Sequence, residues 1–337
     1  MRVLLAIVVL AALGWSGFWF WNASMRERAL AGWLEERRAA GWVADAEVRT
    51  TGFPNRVDAV VTNLDLANPA EGWSWSAPEF QILSQTWKPH HVIAVWPDHQ
   101  VIATPYDTIT LTSSRMVGSA VFEPSLRLGL DHSTVELRDV AATGAAGWQA
   151  GLGEALLSVR KSPEAGAAPF TYDVDFNAKT LTLPEAWISG IERTGLLPAA
   201  IDGGHLAASL TFDRPWDRPA IEGEPPALRS MEISELRFNW GALDLSGAGT
   251  LGVDAEGFAE GRLDLSANNW RGMLDVAEQS GAISQGMAGT IRAGIGLYAS
   301  LSGNRGDSLK IPLDFENGQA RLGPVPIGQA PMLGRGR

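Results

Sequence analysis

The sequence predicts a mainly β (α+β) fold: an N-terminal transmembrane helix, then a large antiparallel, curled β-sheet domain with a few short helices packed on it. Three observations carry this. The stretch Val3 to Trp21 (VLLAIVVLAALGWSGFWFW) holds no charge. Beyond it, short runs alternate apolar and polar residues and stop at Gly, Pro, Asn or Asp clusters, the pattern of half-buried strands and tight turns. Only a few stretches show helical spacing instead.

As a helix, Val3–Trp21 reaches about 28 Å at ~1.5 Å per residue, enough to cross the hydrocarbon core of a bilayer. Trp15, Trp19 and Trp21 crowd one end and Arg26 and Arg28 follow. Tryptophan favours the membrane–water boundary because its ring is apolar while its N–H can stay wet, so these five residues are the expected interface anchors. The rival reading is a cleaved secretory signal. It requires small residues at the boundary, and cleavage after Ala23 would put Trp21 where a small side chain belongs. Either reading sends the remainder out of the cytoplasm. Arg2 and the terminal amine nearly balance Arg26 and Arg28, so charge bias alone decides little. The expected arrangement is a single pass through the inner membrane by residues 3–21, with the large domain in the periplasm.

From Ser24 to Ala40 the chain turns amphipathic. Leu30, Trp33 and Leu34 recur at helical spacing, Ser24 with Glu27 has the form of a capping box, and Gly41 is a natural stop. The simplest picture is one long helix leaving the membrane and packing on the domain. The expected divisions are an anchor (1–22), a juxtamembrane helix (23–42), a β-rich half (43–160), a linker (161–169, KSPEAGAAP) and a second β-rich half (170–337).

Strands are expected around Val57–Leu66, Val92–Trp96, Thr108–Thr112, Ser119–Phe122, Thr134–Val140 and Ala155–Arg160, with a turn at Thr51–Arg56. The second half alternates more cleanly, at Tyr172/Val174/Phe176, Leu206–Phe212, Leu243–Val253, Leu263/Leu265 and Leu309–Phe315. The longest period-2 run, Ile291, Ala293, Ile295, Leu297, Ala299 and Leu301, also reads as a strand. Asp213–Pro226 reads as a proline-punctuated loop, and Pro184–Leu196 and Asn269–Ser280 as short helices.

Composition excludes several functions. The chain has 337 residues and no cysteine, which removes disulfides, thiolate metal sites and a cysteine nucleophile. Residues 43–337 carry 22 basic and 35 acidic side chains, a net charge of −13. Such a domain is repelled by nucleic acid. Tryptophan is abundant, with 14 copies.

Several stretches together resemble the uncharacterised bacterial family called domain of unknown function 2125 (DUF2125). They are the anchor leading into Trp33–Arg38, Gly41-Trp42-Val43, Gly52-Phe53-Pro54-Asn55-Arg56, Trp75-Ser76-Ala77-Pro78, Pro89–Pro97 and Gly323–Gly328. Matches near both ends imply that the resemblance covers nearly the whole chain. The family brings no established activity, so no functional residue is carried over. His90-His91 departs from the Asn-His of similar members, which counts against a paired-histidine site. Leu243–Gly281 is more weakly similar to AsmA-like envelope proteins, whose curled sheets form an apolar groove and which are implicated in moving or accommodating lipids.

Among chemistry-bearing residues, His90, His91 and His99 lie close in sequence with Asp98. Across a hairpin they would suggest a metal or acid–base cluster, but adjacent His90 and His91 point to opposite faces of a strand. His132 and His205 are isolated. Asp173/Asp175, Asp202 and Asp213/Asp217 fall on polar faces or loops. Gly247 and Gly249 are strand spacers. No nucleophile elbow, phosphate-binding loop or zinc-protease helix occurs. No catalytic residue, metal or cofactor is expected.

The remaining signal is Trp73, Trp75, Trp87 and Trp96. They read as core, as an apolar groove for an acyl chain, or as an aromatic dock for a partner. The expectation is therefore a non-enzymatic, membrane-anchored periplasmic protein that binds lipid or another apolar envelope molecule in a sheet groove. An assembly protein docking another envelope protein is the alternative, and an unrecognised hydrolase comes third.

Overall fold

The computed structural model describes residues 1–164, 168–192, 197–279, 281, 283–301 and 307–334. Helix α1 (Arg2–Ala39) is unbroken. It contains no proline, and Ala, Leu, Arg and Glu dominate its exit half, so nothing in the sequence interrupts it. The expected anchor and juxtamembrane helix are thus one element, long and apolar enough at its start to cross a membrane. The expected capping box does not form, because Ser24 lies inside the helix, where its carbonyl accepts from Arg28 Nε (3.1 Å). Glu27 turns instead to the sheet and accepts from Thr50 N (2.6 Å). The helix does stop before Gly41, whose φ of +89° suits only a residue without Cβ.

The chain divides into two compact units, Met1–Pro124 with Val135–Gly147, and Ser125–Thr134 with Trp148–Arg337. In the first, α1 packs on β1 (Val43–Thr51), which pairs with β2 (Asp58–Asn68), and β2 with β3 (Trp73–Gln85). The long β3 then serves two strands. Its second half pairs with β4 (Lys88–Val95) and its first with β5 (His99–Ala103). Strand β6 (Thr108–Thr112) pairs with β5, and β7 (Arg115–Phe122) with β4. The end of β8 (Leu130–Gly144) pairs with β6. All these ladders are antiparallel.

Docking of α1 uses one stripe. Trp19 and Ala23 pack on Val57, which is fully buried, and Leu34 joins Ala44, Val61, Leu64, Leu66 and Ala77. The stripe also carries polar clasps: Trp15 Nε1 donates to Pro54 O (3.0 Å) and Trp19 Nε1 to Arg56 O (2.6 Å). Arg26 Nη1 donates to Val57 O and to Ser84 Oγ, both at 2.8 Å. Burial lowers the Arg26 pKa, while the nearby Asp58 carboxylate opposes that shift. Replacing Arg26 with Ala is expected to cost about 2 kcal/mol, the range for charged hydrogen bonds, because Val57 O and buried Ser84 Oγ lose their charged donor and keep only their mutual bond (3.2 Å). Chemical denaturation in detergent checks this, with Arg28→Ala as the exposed control.

The second unit is a meander. Strands β9 (Gln149–Lys161), β10 (Thr171–Thr182), β11 (Ala200–Phe212), β12 (Leu228–Trp240), β13 (Leu243–Val253) and β14 (Ala259–Asn268) pair consecutively and antiparallel. Strands β15 (Ser308–Glu316), β16 (Gln319–Leu322) and β17 (Val325–Gln329) continue it. Helix α2 (Glu185–Glu192) lies between β10 and β11, and α3 (Arg218–Glu222) between β11 and β12. Helices α4 (Trp270–Gln279) and α5 (Gln285–Leu301) lie between β14 and β15. The mainly β, antiparallel expectation holds.

Three expectations change here, and one helix expectation holds over the described residues. The Lys161–Pro169 segment does not separate units: β9 and β10 pair from Lys161↔Tyr172 to Gly151↔Thr182, so it joins two arms of one hairpin, with 165–167 outside the described residues. The Asp213–Pro226 loop contains α3, capped by Asp217 Oδ1 accepting from Ala220 N (3.2 Å). The helix expected at Pro184–Leu196 is present as α2, while 193–196 lie outside the described residues.

The largest change is α5, read as a strand. Its buried residues are Ala288, Ile291 and Ile295, at helical spacing, while Leu297 and Leu301 of the period-2 run are 63% and 79% exposed. Gly294 explains why a helix with so many small residues docks here: a Cβ at that position would sit 2.3 Å from Val325 Cγ2. Close approach seats Ile291 and Ile295 in one cluster with Trp270, Leu274, Leu309 and Ile311.

Candidate functional site

In the first unit, between the exit half of α1 and the β1–β3 sheet, lies an apolar cavity of about 300 Å³. The helix contributes Leu30, Trp33 and Leu34, the stripe its amphipathic spacing predicted. Val48 comes from β1, Val61, Leu64 and Leu66 from β2, and Trp75, Phe80 and Ile82 from β3. All ten lining residues are hydrocarbon or aromatic.

Strict alternation would not bring Val61 and Leu64 to one face. Asn63 resolves this: its φ of +52° is a left-handed conformation that asparagine tolerates. The β1–β2 register shifts at the same place, between Asp45↔Asp65 and Glu47↔Thr62. Such a bulge changes which side chains face the helix. Sequence reading saw only loose alternation in this strand.

Polar tips are kept out of the cavity. Trp75 Nε1 donates to Gln100 Oε1 (2.8 Å), and Gln100 is itself buried. The Trp75 ring meets Phe80 edge-on at 5.5 Å, and Phe80 meets Trp96 at 5.3 Å. Trp33, at the rim, is 39% exposed. The Arg37 guanidinium lies 5.4 Å from the Trp33 ring and 5.4 Å from that of Trp42.

The four tryptophans singled out from sequence therefore do not line one surface. Trp75 lines the cavity and Trp96 backs it through Phe80. Trp73 packs edge-on against Trp42 (5.2 Å) and donates to Glu71 (2.9 Å). Trp87 sits at the β3–β4 turn, 53% exposed. Sequence missed Leu30, Trp33, Leu34, Phe80 and Ile82 as site residues, although the helical stripe pointed at the first three.

The expected anchors also divide. Trp21 is 60% exposed, Trp15 is 38% exposed with its N–H on Pro54 O, and Arg28 stays at the surface. Trp19 and Arg26 do not face outward as anchors: both bind the β1–β2 loop, because the domain reaches down the helix further than the charge-free run suggested.

Histidines do not converge. His91 Nε2 lies 2.9 Å from Ser119 Oγ on the β4–β7 ladder, whereas His99 pairs with Thr112 on the β5–β6 ladder. Among the described residues, no group of three His, Asp or Glu side chains could hold a metal ion. His132 and His205 are not isolated but pair with surface carboxylates, to Asp131 at 2.7 Å and to Asp175 at 3.0 Å.

A larger cavity, about 840 Å³, lies in the second unit beside Asp131, His132, Ser158, Arg160, Asp173 and Ser209. Its charges answer one another: Arg160 Nε bonds Asp173 Oδ2 (3.2 Å) and Ser209 Oγ donates to Asp173 Oδ1 (2.9 Å). Cross-strand pairs of this kind stabilise the polar face of a sheet. This cavity is the larger of the two and polar, whereas the one beside α1 is lined by apolar side chains alone.

No curated protein and no solved structure matches the chain, so the weaker likeness to AsmA-like proteins gains no support. One family model does match, over residues 19–331, from the aromatic end of the charge-free helix to past β17. The chain belongs to that family, described as an uncharacterized protein conserved in bacteria (DUF2125).

Proposed function

We propose that the protein is a non-enzymatic, single-pass module of the inner membrane whose periplasmic domain binds the hydrocarbon part of a lipid or similar envelope molecule. The observation that carries this is the wholly apolar cavity of about 300 Å³, one wall of which is the helix that also carries the charge-free run. That volume is at the small end of the ~300–1,000 Å³ of ligand sites, suited to part of an acyl chain rather than a whole lipid. A half-open groove lined by hydrocarbon and aromatic rings offers water few hydrogen-bond partners and forfeits dispersion contacts, which an apolar guest restores. Leu30 lies about 14 Å up the helix from Trp21 at ~1.5 Å per residue, so the cavity stays close to a lipid supply.

The test is binding of cis-parinaric acid, a fluorescent fatty acid, to the full chain in detergent. One saturable site is expected. Ile82→Trp, which extends a ring into the void, is expected to weaken binding at least tenfold, about 1.4 kcal/mol, while leaving the melting temperature in place. Equal binding by both proteins would refute the assignment.

A second reading, docking of another envelope protein, draws support from Arg37, held between the rings of Trp33 and Trp42, with Trp73 edge-on against Trp42. Such clusters are common anchors of interfaces. It expects Trp73→Ala to abolish a defined complex while fatty-acid binding survives.

A further inference from the structure

The β1–β2 loop and the β3–β4 turn form an aromatic foot beside α1, at the level of its last charge-free turns. Phe53 is 51% exposed, yet its ring stacks on Phe20 (5.8 Å) and meets Trp19 edge-on (5.4 Å). Thr86, next to exposed Trp87, ties the two segments together: its N–H donates to Asn55 O (3.1 Å) and its Oγ1 to Pro54 O (3.3 Å).

The helix length then sets the depth of this foot. The first clasp is Trp15 on Pro54, leaving only Val3–Gly14 clear of the domain. Those twelve residues span about 18 Å, well short of a hydrocarbon core of ~30 Å. Reaching about 28 Å requires the run through Trp21, which places the Phe53 tip below the end of the charge-free segment, in the outer leaflet.

Loop chemistry agrees. Backbone groups at such depth need partners within the protein. Gly52 O accepts from Arg56 N (2.8 Å), Pro54 O from Trp15 Nε1 and Thr86 Oγ1, Asn55 O from Thr86 N, and Arg56 O from Trp19 Nε1. Pro54 has no N–H to satisfy. Lys88 follows Trp87 at the surface, and Arg56, half exposed and paired with Asp58 (2.8 Å), follows Phe53 on the β1–β2 loop, so a cationic side chain stands beside each aromatic tip. Tryptophan with lysine or arginine is the usual pairing at the headgroup level.

We propose that Phe53 and Trp87 insert into the headgroup–acyl boundary of the bilayer, seating the first unit on the membrane as well as tethering it. This rests on the reading that α1 spans the membrane.

The absence of native cysteine makes the test direct. Leu10→Cys, Phe53→Cys, Trp87→Cys and Tyr106→Cys are each made in the full chain and labelled with the polarity-sensitive fluorophore NBD. The proteins are reconstituted in phosphatidylcholine–phosphatidylglycerol vesicles carrying nitroxide lipids. Leu10 lies in the charge-free run and Tyr106, 97% exposed, is far from α1 in sequence. Blue-shifted emission and loss of fluorescence to the nitroxides at positions 10, 53 and 87, but not at 106, is the expected result. Probes at 53 and 87 that behave like 106 while 10 is quenched would overturn the foot and leave the anchor standing. An unquenched probe at 10 would overturn the anchor, and the foot with it. Probes at 53 and 87 shielded from aqueous iodide yet untouched by nitroxide lipids would mean a protein covers them, which also overturns the proposal.

Discussion

Gly249→Ala is expected to destabilise the second unit by about 3 kcal/mol, the upper range for forcing extra volume into packed structure. Gly249 adopts φ +155°, in a region essentially closed to side chains. A Cβ there would lie 2.1 Å from Arg262 O and 2.9 Å from Leu263 Cα. Both belong to β14, paired with β13 at Gly249↔Leu263, so relief requires prising the strands apart and losing ladder hydrogen bonds. The neighbouring strand answers with Gly261, at φ +135°, whose Cβ would sit 2.3 Å from Thr250 O. At roughly 2–4 °C per kcal/mol for a unit of this size, a melting temperature lowered by about 6–12 °C is expected. Gly296→Ala is the control: nothing lies within 4 Å of its Cβ position on helix α5, and alanine there should stabilise by about 0.5–1 kcal/mol. An unchanged melting temperature for Gly249→Ala would mean that β13 and β14 do not approach this closely.

Leu34→Ala carries the second large effect, a loss of about 3–4 kcal/mol. Leu34 is 6% exposed and joins the helix to Ala44, Val61, Leu64, Leu66 and Ala77. Truncating a buried leucine removes transfer energy and leaves a void, and the cost is highest where the surroundings cannot collapse inward. Here the new void merges with the existing apolar cavity, so collapse is blocked by residues that already stand apart. Limited proteolysis between Arg26 and Arg38, together with denaturant unfolding, should report early release of the helix. Leu30→Ala, at a half-buried lining position, should cost less than half as much. Equal effects from both would contradict the assignment of Leu34 as the principal packing contact.

How much of this was legible in sequence follows from which interactions are local. Alternation located the strands of the meander well, because Leu243–Val253 and Leu309–Phe315 each have one apolar face. It failed at α5, where Ile291, Ile295 and alternating small residues satisfy a period of two and a helix equally. Only the packing of Gly294 on Val325 decides between them. The charge-free run announced a helix long and apolar enough to span a membrane, but not that Trp19 and Arg26 would turn inward to the Gly52–Val57 loop. That partner lies more than thirty residues away. The cavity was half legible: Leu30, Trp33 and Leu34 marked a docking stripe and Trp75 a candidate wall. Val61 and Leu64 reach the same face through a bulge at Asn63, whose left-handed backbone leaves no trace in hydropathy, and Phe80 stands opposite Val61 on β3. Trp73 and Trp87 were grouped with Trp75 by proximity in sequence, although strand and turn geometry send them elsewhere.

The central claim, an apolar guest between α1 and the β1–β3 sheet, is tested most directly by native mass spectrometry of the full chain released from its own membrane into the gas phase. The helix must be kept, since Leu30, Trp33 and Leu34 form one wall of the cavity. The account predicts a single stoichiometric lipid or fatty acid retained by the parent protein and lost from Ile82→Trp. A ligand-free mass under gentle conditions, or an adduct that survives Ile82→Trp unchanged, would contradict it.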